Sequence, residues 1–472
     1  MNKKFLFLLA TGSFGLSLIL NAQNNSSFFD KYMQGQTDLY GFNGNVLIAQ
    51  NGKVLYKKSF GYADYNTKSK LDSNSIFDCG SIAKEFTAVG ILLLKDKGLI
   101  SYADTLRKFF PGLPYNNVTI QQLLTHTSGM PDGFGVVSKF FDHNKTASND
   151  DIIALLAREK PPLLFEPGKD LMYSGTAFNL LASIIEKISG QSYKDYMAEH
   201  VFKPLGMTHT MVANGPRSTK SIPGYADGFV YNDSLQTYVN ADSLHTGWTT
   251  YLAGITGEGM TITSTGDLLK WDQALKNHKL LTEATQIAML SRQAEKATFP
   301  TVQFGYGMRV GENDFGNYFF HNGYFPGYLT MHMHYTNSDI TTIVLSNNES
   351  HTDFIADALV AIALNKKITM PAIHKEIITN TALDKYTGNY TMPLTRPPYM
   401  VNFPVEIIMK NNKLFIHPPG GADIELKSES KTKFYFADGT DQQIEFETGA
   451  AENIAKTWYI GWGLKKEIKK SQ

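Results

Sequence analysis

Strand-like runs stand at both ends of the first 365 residues of this chain, with helical patterns filling most of the space between them. Near the front, Val46-Leu47-Ile48-Ala49 and Val54-Leu55-Tyr56 flank Asn51-Gly52. That pair tolerates the positive φ angles of a type I′ turn, so the two runs predict a hairpin. Near the back, residues 318–321, 329–334 and 340–345 have strand character, and a helix is expected over 354–364. A weak helical pattern over 28–40 precedes the hairpin. Further helices are expected from Ser81 to Leu94, where Gly98 supplies a stop, and over 151–158, 177–188, 193–201 and 264–275. A chain of this pattern predicts an α+β fold. Its antiparallel sheet joins the N- and C-terminal parts, is flanked by helices and carries a helical lobe.

Beyond about Lys366 the character changes. Short β-rich runs at 405–409, 413–417, 424–426, 433–436 and 443–446 are separated by Asn411-Asn412, Pro418-Pro419-Gly420-Gly421 and Asp438-Gly439. These predict a small all-β sandwich or barrel over 373–472, joined through residues 369–372 to a main domain over 24–365. At the other end, Lys3 and Lys4 precede an apolar run from Phe5 to Leu20 and the small-residue site Leu20-Asn21-Ala22. This reads as a signal peptide over 1–22, cleaved near Ala22, which predicts a periplasmic or secreted protein. The run is short for a membrane span of ~20 residues, so no stable membrane insertion is expected.

Lys+Arg and Asp+Glu number 44 each, giving a formal net charge of zero. That balance argues against a basic face for nucleic acid and points to a small-molecule or peptide partner. It leaves the oligomeric state open. Cys79 is the single cysteine, so no internal disulfide forms. It reads as a small buried residue at a helix start.

The chain has no G-x-S-x-G elbow, no H-E-x-x-H helix and no P-loop, and nothing in it calls for a metal or cofactor. Gly257-Glu258-Gly259 lacks a third glycine and reads as a turn. What remains is Ser81-Ile82-Ala83-Lys84. Residues three apart share a helix face, so the lysine amine reaches the serine hydroxyl. A serine needs such a basic neighbour to become a nucleophile. A lysine serves as that base when burial or nearby positive charge depresses its pKa. The same pattern occurs at Ser428–Lys431 and Ser430–Lys433, in a polar stretch that reads as strand edge. Ser81 taken alone reads equally well as a helix N-cap. Two further elements favour the chemical reading. Tyr173-Ser174-Gly175 stands just before a helix, where the phenol can share a proton relay. His321-Asn322-Gly323 ends a strand, where a cationic or donating group and a bare backbone edge can receive an acyl substrate.

With these three elements in this order, the region from about Phe42 to Leu364 resembles the serine β-lactamase and penicillin-recognising family. The likeness is to its class C-related branch of β-lactamases, family VIII esterases, D-aminopeptidases and DD-peptidase-like proteins. Leu123-Leu124-Thr125-His126-Thr127-Ser128-Gly129-Met130-Pro131, Phe165-Glu166-Pro167-Gly168 and Pro204-Leu205-Gly206-Met207 are also similar to the family. The resemblance implies an acyl-enzyme on Ser81, with Lys84 keeping its oxygen deprotonated and Tyr173 relaying the proton to the leaving group. It implies that His321 lies near a substrate carboxylate or the tyrosine oxygen. It places the oxyanion between the backbone N–H groups of Ser81 and Tyr324, with Gly323 kept small for the substrate. His126 reads as structural.

One position departs from the family pattern. Its second motif is usually Y-x-N, and here Gly175 replaces the asparagine. That amide normally binds the substrate's acyl-amide and helps position the lysine. Its loss costs ~1.5–3 kcal/mol of differential binding unless another group substitutes, and Asn179 is the candidate one helical turn on. The expected activity is therefore a serine hydrolase of small esters or D-amino-acid amides and peptides. The alternatives are β-lactamase or DD-peptidase activity, and a non-catalytic binding or regulatory protein on the same scaffold.

Overall fold

The computed structural model describes residues 11–213, 215, 222–244, 246–296, 299–377, 382–396, 399–419, 421–438, 440–449, 453–461 and 463–470. Residues 1–10, which hold the charged start of the predicted signal peptide, lie outside this set. The remainder of that segment falls within helix α1 (Thr11–Tyr40), and no helix among the described residues is long and apolar enough to cross a membrane.

The N-terminal hairpin forms as its turn chemistry predicts. Asn51 and Gly52 have φ of 50° and 74°, and they join β1 (Gly44–Gln50) to β2 (Lys53–Phe60). The free edge of β1 pairs with a strand from the far end of the domain, from Gly44 opposite Ser346 to Gln50 opposite Ile340. The other strands are β3 (Ala294–Lys296), β4 (Phe299–Phe304), β5 (Arg309–Asn313), β6 (Gly316–Phe325), β7 (Tyr328–Tyr335) and β8 (Ile340–Ser346). The sheet is antiparallel throughout, in the order β3-β4-β5-β6-β7-β8-β1-β2.

Both faces of this sheet are covered, so β1 and β8 are buried along nearly their whole length rather than at alternate residues. Side chains still alternate by the pleat. Val46 and Ile48 pack with Phe29, Tyr32 and Leu359 on one face, whereas Leu47 and Ala49 join Phe86 and Trp271 on the other. The first face is closed by α1 and by the helix Thr352–Ala363. The second carries α2 (Ala83–Asp96), α3 (Gly175–Ser189) and α4 (Thr265–Lys276). Serine caps α3 and α4: Ser174 accepts from Ala177 N, and Ser264 from Asp267 N.

The C-terminal strands close into an eight-stranded antiparallel barrel running from Gly388–Arg396 to Leu464–Lys470, with Tyr390 opposite Lys470 at the seam. Of the two forms expected, sandwich and barrel, the chain adopts the barrel. Its interior is filled by Tyr390, Ile407, Phe434, Phe446 and their neighbours. Phe354, from the helix Thr352–Ala363 of the main domain, belongs to the same apolar cluster. The linker joins in: Thr369 N donates to Gly463 O, and Tyr40 Oη to Ala372 O. The two extra S-x-x-K matches lie in a turn of this barrel, where Ser430 Oγ accepts from the backbone of Thr432 and Lys433.

Beneath α2 lies a buried charged cluster. His332 Nδ1 stands 3.0 Å from both Glu85 oxygens, and its Nε2 is 3.3 Å from Asp272 Oδ1. Trp271 Nε1 donates to Glu85 at 2.7 Å, while Thr341 Oγ1 and His334 Nδ1 face Asp272. Burial alone lowers an imidazole's pKa. Here the carboxylates on both sides outweigh it and raise His332 to about 10. Asp272 is held well below the usual carboxylate range: burial opposes this, and the two histidines outweigh it. His332 is thus an imidazolium that pins α2 and α4 to β7.

The pH dependence follows from these directions. The His332 contribution is complete below the ordinary histidine pKa of about 6.5 and is lost as pH rises toward about 10. The Asp272 contribution is present above about pH 4 and is lost in acid. Thermal unfolding should therefore show its melting temperature falling between pH 6.5 and pH 9.5. A His332→Gln variant should be less stable at pH 6 by about 3–5 kcal/mol, because two buried carboxylates lose their cation, and its melting temperature should vary less across that range. Equal slopes for both proteins would remove His332 as the titrating group.

Candidate active site

Ser81 sits in a tight turn, Gly80–Ile82, that leads into α2. The turn is fixed from several sides. Cys79 N donates to Thr261 O, Thr330 Oγ1 donates to Cys79 O at 3.0 Å, and Gly80 N donates to Asp78 Oδ1 at 3.0 Å. No side chain caps either the turn or α2, so the N-cap reading of Ser81 does not hold, and its hydroxyl points to Lys84 instead. Cys79 is fully buried and burial pushes its thiol pKa up, as suits a packing residue.

Two glycines let this turn lie against β6. A Cβ on Gly80, whose φ is +50°, would stand 2.6–2.7 Å from the backbone O and N of Tyr324. A Cβ on Gly323 would come within 2.0 Å of Cys79 O and 2.4 Å of Thr330 Oγ1. Gly323 is therefore small because the Cys79–Gly80 turn and Thr330 occupy the space, where the resemblance implied room kept for the substrate. Strand β5 pairs with β6 only from Gly316 to Phe320, so the β6 edge beyond is left open beside Ser81, with the Tyr324 backbone on it. Tyr324's own side chain is half exposed, and its hydroxyl is raised to about 12 by burial and by Glu349.

Lys84 is wholly buried, and its Nζ donates to Ser81 Oγ at 3.0 Å, Glu258 O at 2.6 Å and Glu258 Oε2 at 3.1 Å. Three donors with three acceptors describe an ammonium. Burial pulls its pKa down, but the charge of Glu258, with Tyr173, more than offsets that and leaves it raised. This corrects the expectation of a depressed, ready base: Lys84 rests charged.

Glu258 was missed in the sequence, where its Gly-Glu-Gly setting read only as a turn. The loop is a turn, yet one that is clamped. Thr256 O accepts from Asn179 Nδ2 at 2.8 Å and Asn149 Nδ2 at 3.2 Å, and Gly257 O accepts from Thr87 Oγ1 at 2.6 Å. Gly257, with φ +95°, would clash through any Cβ with Phe178 O at 2.5 Å. The carboxylate so placed reaches the position the motif asparagine would fill, since a Cβ on Gly175 would lie 2.5 Å from Glu258 Oε2. Asn179 does not fill that gap. Its amide supports the loop from behind.

Tyr173 lies with its ring centroid 4.9 Å from Lys84 Nζ and its hydroxyl buried. Electrostatically it couples to Lys84, although no hydrogen bond of good geometry joins the two. His126 stacks on it at 4.4 Å and accepts from Ser174 N at Nδ1. Burial, with Lys84 and His321 nearby, keeps His126 neutral.

His321 is also buried and neutral, through burial first and then Lys84 and Arg309. Its Nδ1 lies 2.6 Å from Asn322 O, a carbonyl that can only accept, so Nε2 is an acceptor. The expected cationic or donating group at the end of a strand is thus a neutral acceptor in the middle of β6. Besides Lys84, a second cation nearby is Arg309, a buried residue that no motif of the sequence points to. Its guanidinium carbon is 6.0 Å from the Tyr173 ring and 5.3 Å from that of Phe304. Asn322 shares its face of the sheet with Met331, its cross-strand partner, which packs in the core on the α1 side. Its side chain therefore points away from Ser81.

The Beta-lactamase family profile matches residues 29–365. Penicillin-binding protein 4* of Bacillus subtilis is 35% identical over 447 residues, covering 93% of this chain and 97% of its own. Among solved structures, the octameric penicillin-binding protein homologue from Pyrococcus abyssi has a TM-score of 0.66 at 22% identity, over 94% of this chain and 99% of that one. The D-amino acid amidase from Ochrobactrum anthropi, complexed with D-phenylalanine, has a TM-score of 0.60 at 20% identity, over 74% and 98%.

Gly323→Ala should force the Cys79–Gly80 turn off the strand. We expect a loss of about 1–3 kcal/mol in urea unfolding, together with at least a tenfold fall in ester turnover. Unchanged turnover would show that the contact between turn and strand does not set the position of Ser81.

Proposed function

We propose that this chain, which belongs to the beta-lactamase family, is a serine hydrolase that forms an acyl-enzyme on Ser81 and acts on small esters or D-amino-acid amides and peptides. The observation that carries this reading is the Lys84 ammonium 3.0 Å from Ser81 Oγ at the mouth of a buried helix. A fixed, desolvated cation there stabilises the alkoxide form of the serine. Because Lys84 rests charged, it accepts a proton only by first giving one up. Tyr173, with its hydroxyl buried at the same site, is the proposed carrier of the Ser81 proton to the leaving group. The backbone N–H groups of Ser81 and Tyr324 receive the oxyanion that develops on the attacked carbonyl.

His321 offers an acceptor at Nε2, which suits a donor on the substrate or a water for deacylation better than a carboxylate. Efficient β-lactam turnover is not expected, because Gly175 supplies no amide and Glu258 takes its place. The leader over 1–22 supports export, with action in the periplasm or outside the cell.

A fluorophosphonate probe should add one mass equivalent to the wild-type protein and none to Ser81→Ala. Lys84→Ala should slow ester turnover by about 10²–10⁴-fold. Equal labelling of wild type and Ser81→Ala would end the assignment of the nucleophile.

A further inference from the structure

We infer that Glu258 is the receptor for a cationic amine on the acyl side of the substrate, so that the preferred substrates carry a free α-ammonium group and N-acylated ones are turned away. The inference rests on the acyl-enzyme reading of Ser81 and narrows its substrate class.

Gly175 stands where the family pattern has an asparagine. The space a side chain would enter there is taken by Glu258 Oε2, 2.5 Å from an added Cβ. The exchange of group changes the chemistry of the subsite. An amide offers both donors and an acceptor, whereas a carboxylate offers acceptors only. A substrate acylamido carbonyl, which needs a donor, would meet an anion. An ammonium would meet its natural partner.

The carboxylate has capacity for this. Oε2 is held by Lys84, and no hydrogen bond to Oε1 is formed among the described residues. The Glu258 side chain is 14% exposed while that of Lys84 is 0%, so of the two it is the glutamate that solvent and a ligand can reach. Its reach also fits. Ser81 Oγ and Glu258 Oε2 lie 3.0 and 3.1 Å from the same nitrogen, which brings the carboxylate within range of a group on the carbon next to the attacked carbonyl.

The position is built rather than incidental. Three successive carbonyls, of Thr256, Gly257 and Glu258, are bound by Asn179, Thr87 and Lys84 in turn. A charged group fixed in this way needs little reorganisation to receive a ligand, which is where a charge-assisted bond contributes most.

The test compares alanine p-nitroanilide with N-acetylalanine p-nitroanilide, in each enantiomer, on wild type and Glu258→Gln. Wild type should favour the free amine by about 10- to 100-fold in kcat/KM. The preference should fade above about pH 8 as the α-amine loses its proton. Glu258→Gln should lose most of this preference, whatever it does to the rate common to both substrates. A wild-type preference for the acetylated substrate, or a preference unchanged in Glu258→Gln, would overturn the proposal. Binding of alaninamide and N-acetylalaninamide to Ser81→Ala, measured by calorimetry, gives an answer independent of turnover: equal or inverted affinities also overturn it. Failure of the fluorophosphonate to label Ser81 strikes the hydrolase reading instead and leaves the binding result standing.

Discussion

The imidazolium of His332 holds the site to the sheet. It lies in β7 between a carboxylate from α2 and one from α4, with no exposure to solvent on any of the three side chains. Charges placed so deeply are tolerated because each has its partner and the remaining oxygens have further donors, from Trp271 and Thr341. Glu85 is the residue after Lys84. The cluster therefore sets the rotation of α2, and with it the direction in which Lys84 leaves the helix. Removing one member would leave a buried charge unpaired one residue away from the proposed chemistry.

A second constraint acts from the other side of the turn. Gly80 and Gly323 bring the start of α2 into backbone contact with β6, and neither approach leaves room for a side-chain atom. Between the two anchors, the ammonium of Lys84 is bound by the serine and by the Glu258 loop. The site is assembled from four separate segments, the fourth being the stretch before α3 that carries Tyr173, and each is held by its own packing, which is the preorganisation that electrostatic catalysis requires.

Much of this could be read from the residues. The Asn51-Gly52 turn carries its own backbone preference, and Ser81 and Lys84 are neighbours on one helix by spacing alone. The strands and helices that were expected fell close to their spans because their periodicities are local properties, whereas β3, β4 and β5 carried no such signal. Contacts that depend on distant parts of the chain were not legible. Glu258 lies 174 residues from Lys84, and His332 lies 247 from Glu85. Nothing local in Gly257-Glu258-Gly259 separates a clamped loop from an ordinary turn. The charge state of Lys84 was misread for the same reason: its helix predicts burial, but the anion that reverses the effect of burial comes from elsewhere. Asn322 was credited with a substrate contact by its place in a motif, and the pleat of β6 turns its side chain the other way.

The pairing of β1 with β8 has a consequence for how the chain folds. These are interior strands of the sheet, and Gly44 meets Ser346 across nearly the whole domain. The hairpin of β1 and β2 can form as soon as it is made, but it finds its other neighbour only once residue 346 has been synthesised. Closing so long a loop is slow, since its entropy is lost before the contacts return anything. During that interval β1 lacks its β8 neighbour and the part of its cover that the later helices supply. The sheet that carries the Ser81 turn is thus complete only when the two ends of the domain have met.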